Sequence, residues 1–138
     1  MEISAHLLSA AGGHALEVRT GESMQRLAVA AKAVGRGSAV NGGEFLMAAL
    51  ASCYCNDLYR EAARLGIQVI GCEVVASARF NGVGLAAESV TYAARVNSPD
   101  APERIDLLLE ETDRLAEIHN TLRAGCPVRR VAWQDDAG

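Results

Sequence analysis

Four cysteines, Cys53, Cys55, Cys72 and Cys126, are the side chains of this 138-residue sequence whose type and placement could carry covalent chemistry. A thiol acts as nucleophile or metal ligand through its thiolate. The metal reading fails on spacing. No CxxC occurs, and His6, His14 and His119 do not stand at paired ligand spacings, so no metal site is expected. Cys53 lies in AALASCYCN, a run of small apolar residues from Ala48 to Asn56 with the look of a helix interior. Cys126 stands between Gly125 and Pro127, where the backbone is constrained, and Arg123, Arg129 and Arg130 around it favour a thiolate. Two thiols on separate rigid elements can cycle between dithiol and disulfide if their Cα atoms come within about 6 Å. Both could equally be inert packing residues, and the residues by themselves leave that choice open. Cys55 is about 200° around the helix from Cys53, and Cys72 lies in a strand-like run; both read as packing. His119 falls late in an amphipathic stretch, where a cation suits a helix C-terminus.

The elements that must hold these thiols are legible in outline. EISAHLLS and HALEVRT flank the turn-forming AAGG, which predicts a hairpin, and a third strand is expected near QRLAVAA after the turn at Thr20-Gly21. GRGSAVNGG, with four glycines, is a loop. From Glu44 the run FLMAALASCYCNDLYREAARLG has no proline or internal glycine before Gly66, which suits a helix C-cap. Its first half is apolar all round and therefore expected to be enclosed on every side. Two further strands, IQVIGCEVVASARFN and AAESVTYAARVN, join at Asn81-Gly82. SPDAPERIDLLLEETDRLAEIHNTLRAG predicts one amphipathic helix, capped by Ser98 or Asp100, with Pro102 in its first turn and Gly125 at its end. VRRVAW reads as a final strand. The order of strands, helix, strands, helix and strand is that of an α+β domain, expected to span 1–138 as a single unit.

Composition limits the function classes. Thirteen basic and seventeen acidic side chains give a net charge of −4, with no dense basic cluster and few aromatics, which argues against nucleic acid as a partner. No apolar run is long enough to cross a bilayer, and MEISAHLLSAAGGH has no basic-then-hydrophobic signal, so a cytoplasmic location is expected.

The combination of NGGEFLMAALASCYCNDLYREAARLG with a later RAGCPVRR resembles the OsmC/Ohr family of osmotically induced and organic hydroperoxide resistance proteins. That family carries a helical cysteine after an NPE-x-L-x-x-A-x-x-x-x-C run and a second cysteine, commonly in a CP motif, near the C-terminus. The likeness covers nearly the whole chain. It implies an OsmC-like fold of antiparallel sheets, a central buried helix and a second amphipathic helix, assembled as an intertwined homodimer with its active sites at the subunit interface. It further implies a thiol-dependent peroxidase without metal, haem or other cofactor. By that resemblance Cys53 is the peroxidatic cysteine, which attacks ROOH as thiolate and becomes a sulfenic acid. Cys126 is then the resolving cysteine, and a dithiol reductant, in this family often a lipoyl group, restores the pair. An enclosed apolar pocket suits a fatty or aromatic hydroperoxide.

The chain departs from the family pattern where the cysteine is activated. The peroxidases place a glutamate in NPE and pair it with an N-terminal arginine, whereas here Gly43 stands at the glutamate position and Glu44 one residue later. Nine steps at about 100° each put Glu44 on the opposite helix face from Cys53, so Glu44 reads as a favourable charge at the helix N-terminus. GGH at Gly12–His14 lies near the family's GGR, making His14 and Arg36 the candidates for lowering the Cys53 pKa, each equally readable as a solvated side chain. These departures raise a second reading: a binding or redox-sensing protein on the same scaffold, with an apolar pocket at the dimer interface and little turnover.

Overall fold

The computed structural model describes residues 1–135, which fall into two compact units, Met1–Leu46 and Met47–Gly138. In the first unit β1 (Ile3–Ala10), β2 (Gly13–Thr20) and β3 (Ser23–Leu27) form an antiparallel sheet in that order. The hairpin expected at AAGG is present, with Ala10 opposite Gly13. The second turn uses Gly21 at φ 57°, the left-handed region where glycine carries no Cβ penalty. That tight turn brings the third strand in earlier than QRLAVAA; it ends at Leu27, and the following chain is the expected loop, tied by a bridge between Ala31 and Ser38.

Helix α1 runs from Gly42 to Leu65 and stops at Gly66, φ 67°, as expected. Its buried residues in the second unit are Leu50, Tyr54, Asp57, Leu58, Glu61 and Ala62. That spacing is one stripe, so a single chain covers α1 along one face. The stripe packs on the sheet of β4 (Gly71–Phe80) and β5 (Ala87–Asn97) and on Leu108, with Ile67 and Ala116 completing the core cluster. On β4, Cys72, Val74, Ala76 and Ala78 are half-buried while Glu73, Val75, Ser77 and Arg79 are exposed, the alternation of a strand covered on one face. Phe80 breaks it by facing solvent, next to a register shift between Arg79 and Phe80. Tyr54 donates its hydroxyl hydrogen to the Leu109 carbonyl at 2.9 Å, which satisfies the polar end of a buried ring.

The second amphipathic segment is two helices: α2 (Pro102–Leu115) and α3 (Glu117–Ala124), divided at Ala116. Periodicity alone predicted one, because the apolar face continues across the division. The break is closed by side chains that return from α3. Arg123 and Asn120 reach back to the Asp113 and Arg114 carbonyls, which satisfies acceptors that a continuous helix would use itself. Buried Ala116 takes an extended conformation (φ −72°, ψ 103°). Neither Ser98 nor Asp100 caps α2. The cap residue is Ala101 without a side-chain bond; Asp100 instead accepts the Gln68 N–H at 2.8 Å, and Ser98 Oγ accepts the Asp100 N–H. Gly125, φ 66°, closes α3 as expected. VRRVAW is not a strand, since no neighbouring edge in the described chain pairs with its backbone groups.

No described helix is long and apolar enough to cross a membrane.

Candidate active site

The helix that carries Cys53 starts on a reciprocal cap. The Glu44 N–H donates to Asn41 Oδ1 at 2.9 Å, and the Asn41 N–H donates to Glu44 Oε2 at 2.8 Å. This is a capping box with asparagine in the cap position. Glu44 therefore serves the helix N-terminus, as expected, through two hydrogen bonds as well as its charge.

Nine residues on, the half-buried Cys53 thiol donates to Asp57 Oδ2 at 3.5 Å, the i,i+4 partner on the same helix face. Asp57 is almost fully covered, its side chain 8 % exposed, and its other oxygen accepts from Arg60 Nη1 at 2.9 Å. Arg60 also reaches Glu61, 3 % exposed, at 3.2 Å and approaches Glu117 at 3.9 Å. Glu117 is the first residue of α3, and the backbone N–H of the next residue, Ile118, is the one influence that lowers the Cys53 pKa. The break at Ala116 is what makes that N–H available, because first-turn N–H groups of a helix have no intrahelical acceptor. Its partial positive charge favours the thiolate.

The carboxylates oppose it. Burial is the largest effect raising the Cys53 pKa above the ordinary 9.0; the Ile118 N–H lowers it, and Asp57 and Glu117 raise it further. Burial likewise holds the Asp57 pKa above its usual value, with Arg60 and the Cys53 thiol pulling it down. Donor atoms of Cys53, Asp57 and Glu117 lie within 4.8 Å of one another, a set of the kind that can hold a divalent ion, although Arg60 already supplies positive charge there.

Reactivity of Cys53 should therefore climb steadily through neutral pH and beyond 9.0, about tenfold per pH unit while the thiol form dominates. Asp57→Asn keeps an acceptor for the thiol and removes one opposing charge. It should speed alkylation of Cys53 at pH 7 by about tenfold, the equivalent of one pKa unit. The pH–rate profile for iodoacetamide, corrected with Cys53→Ser, measures this; an unmoved profile removes Asp57 as the controlling charge.

The remaining expected site residues each have surroundings of their own. Cys126 is exposed and follows the left-handed Gly125, with its N–H toward the Thr121 carbonyl and its sulfur 3.9 Å from the Pro127 carbonyl. Arg123, expected to charge its surroundings, is directed instead to Asp113 at 2.7 Å. Cys53 and Cys126 are both free thiols with separate partners. His14 and Arg36, in the first unit, both line a cavity of about 370 Å³ with Ser9 and Gly37, and the His14 ring nitrogens have no hydrogen-bond partner. His119 is no exposed C-terminal cation. It is 4 % exposed, packed against Tyr54 and Tyr92 with ring centres 5.7 and 4.5 Å away, and burial lowers its pKa. Asp57, Glu117 and the Ile118 N–H were not foreseen from the sequence. Asp57 was available from its i,i+4 spacing; the other two depend on the helix break.

A model of the OsmC-like protein family matches residues 35–130, well over half of the chain. This chain is an OsmC-like protein. No individually curated protein matches it. Among solved structures it is similar to an OsmC-like protein from Mycoplasma pneumoniae, at 18 % identity and TM-score 0.60, over 88 % of this chain and 86 % of that one. It is similar also to an OsmC-like hydroperoxide resistance protein from Jannaschia, at 20 % identity and TM-score 0.57, over 98 % and 94 % of the two chains. An organic hydroperoxide resistance protein from Legionella pneumophila matches at 16 % identity and TM-score 0.56, over 88 % of each chain. At such identities the likeness establishes the α+β fold of the OsmC-like protein, its antiparallel sheets and its central helix.

Proposed function

We propose that this OsmC-like protein is a cytoplasmic, thiol-dependent reductase of organic hydroperoxides, with Cys53 as the attacking sulfur and Cys126 as the resolving thiol. The reading is carried by the half-buried Cys53 thiol on α1, whose pKa the Ile118 backbone at the start of α3 lowers against the effect of burial. In this scheme the Cys53 thiol gives its proton to solvent. The thiolate attacks the distal oxygen of ROOH, the O–O bond breaks, and ROH leaves with a proton. The Cys53 sulfenic acid then condenses with the Cys126 thiol, releasing water and forming a disulfide that an external dithiol, such as a lipoyl group, reduces. Two relatives named for hydroperoxide resistance support the substrate class. Oxidation with cumene hydroperoxide, quenching and mass spectrometry test the scheme. A Cys53–Cys126 disulfide should form faster than a free thiol oxidises and reopen with dihydrolipoamide; oxidation at the free-thiol rate without that disulfide overturns it.

The second reading, a binding or redox-sensing protein with little turnover, rests on Asp57 and Glu117 beside the sulfur and on Gly43 in the place of the family's glutamate. Slow, stoichiometric oxidation of Cys53 is its signature.

Either reading includes one domain over 1–138 and a homodimer. Every residue of β1 is exposed, Ile3, Leu7 and Leu8 among them, as are Val75, Val131 and Trp133 in the second unit. So much uncovered apolar surface is unusual for a monomer. Sedimentation should give about twice the chain mass of 14.5 kDa at micromolar concentration; a monomer there counts against the dimer.

A further inference from the structure

We propose that the cavity of the first unit binds a small phosphomonoester through Arg36, His14 and Ser9, independently of the thiols. Its walls come from the β1–β2 hairpin, through Ser9 and His14, and from the glycine loop around Arg36. That loop is tied to the hairpin and to itself. The Gly37 N–H donates to Ser9 Oγ at 3.1 Å, the Lys32 N–H donates to the Gly37 carbonyl at 3.0 Å, and Ala31 bridges to Ser38. Gly35 and Gly37 take φ 85° and 99°, left-handed values that suit glycine, so Arg36 is held between two constrained turns. A Cβ placed at Gly13, Gly35 or Gly37 would meet nothing within 4 Å, so the space beside these glycines is open. The volume of about 370 Å³ falls in the range of small-molecule sites.

The groups around this cavity select an anion. No acidic side chain lines it. The charged residues of the connection 28–41 are Lys32 and Arg36, both basic. Glu17 and Glu44, in the same unit, are committed to Arg26 and to the Asn41 N–H. Among the described residues Arg36 makes no hydrogen bond or ion pair, so its guanidinium fork is available to a ligand. Both His14 ring nitrogens are buried without a hydrogen-bond partner, a costly state for a polar group. Turning that ring to present its N–H therefore breaks no bond. Ser9 Oγ accepts from Gly37 and keeps its own hydrogen to donate. A guanidinium, an imidazole N–H and a hydroxyl supply one donor group for each of the three terminal oxygens of a phosphomonoester, where a carboxylate has only two. Arginine–phosphate forks are also among the stronger, charge-assisted hydrogen bonds.

The test uses the full chain carrying Cys53→Ser, which lacks the attacking thiol of the proposed peroxidase, so failure of that reading cannot cause failure here. Glycerol phosphate is titrated while amide and imidazole resonances are followed by NMR, with succinate and glycerol titrated in parallel. Binding of the ester should saturate at millimolar concentration or below, with the largest shifts at Ser9, His14 and residues 35–37. Arg36→Gln should weaken it by at least about tenfold, the scale of a lost charge-assisted hydrogen bond. Arg36 has no partner among the described residues, so this change removes no contact that holds the fold. His14→Phe should weaken binding as well, whereas Arg19→Gln, on an exposed arginine of β2 outside the cavity, should leave it unchanged. Three results overturn the proposal: no saturation by about 10 mM, far weaker than a millimolar Kd; shifts confined to other residues; or equal losses from Arg36→Gln and Arg19→Gln. Succinate binding as tightly as the ester overturns the phosphate assignment.

Discussion

Cys53→Ser is expected to abolish hydroperoxide reduction, lowering kcat/KM by at least about a thousandfold, the scale seen when a covalent nucleophile is removed. A serine hydroxyl is nearly unionised at neutral pH and does not take oxygen from a peroxide. It does reproduce the thiol's bonding, since Oγ can donate to Asp57. The fold should therefore survive, with an unchanged melting temperature and circular dichroism spectrum separating loss of chemistry from loss of structure. Cys126→Ser should behave differently: one equivalent of cumene hydroperoxide is consumed, Cys53 accumulates as sulfenic acid, and recycling by dihydrolipoamide slows. The assay is consumption of cumene hydroperoxide with dihydrolipoamide in excess. If Cys53→Ser keeps more than about a tenth of wild-type turnover, a loss of under about 1.4 kcal/mol of transition-state stabilisation, the reacting sulfur is another one.

Leu58→Ala should cost about 2–5 kcal/mol of folding stability, a large share of the roughly 5–15 kcal/mol available to a domain. Leu58 is fully enclosed, in one cluster with Tyr54, Ala62, Ile67, Leu108 and Ala116. The cluster joins α1 to the residue at the helix break. Truncation leaves a cavity whose walls are a helix, a sheet and the second helix layer, and none of these can collapse into it cheaply. Urea denaturation at fixed protein concentration measures the loss as a lower midpoint with an unchanged slope. A loss below about 1 kcal/mol, outside the usual range for a buried leucine, would mean that α1 is not packed as described. Since Asp57 precedes Leu58 in the chain, the same cavity loosens the Cys53–Asp57 pair, and a faster, less pH-sensitive alkylation of Cys53 should accompany the instability.

The elements that depend on near neighbours in sequence were readable from it. Gly66 and Gly125 end helices in left-handed conformations because a local backbone requirement picks out glycine, and the alternation from Cys72 to Ala78 is a strand's own period. The likeness in Cys53 and Cys126 likewise led to the family. What escaped was decided by contacts made at a distance. One continuous apolar face cannot reveal that Arg123 and Asn120 turn back on the end of α2, so the break at Ala116 was hidden, and with it the Ile118 N–H. His119 read as a cation suited to a helix C-terminus, because helix position carries no information about the two tyrosines it packs against. VRRVAW has strand composition, but a strand exists only beside an edge that accepts it. Asp57 alone among the missed site residues had a local signal, four residues after Cys53 on the same face.

Helix α3 is eight residues long, about two turns, and a helix that short does not persist by its own hydrogen bonds. What holds it is His119 seated between Tyr54 and Tyr92, and Arg123 clamped on Asp113. Whenever those anchors release, Cys53 loses the Ile118 backbone donor and the repelling Glu117 carboxylate in the same event. The sulfur's character is thus coupled to the breathing of a two-turn segment, and amide exchange at Ile118 reports how often the thiol is undressed.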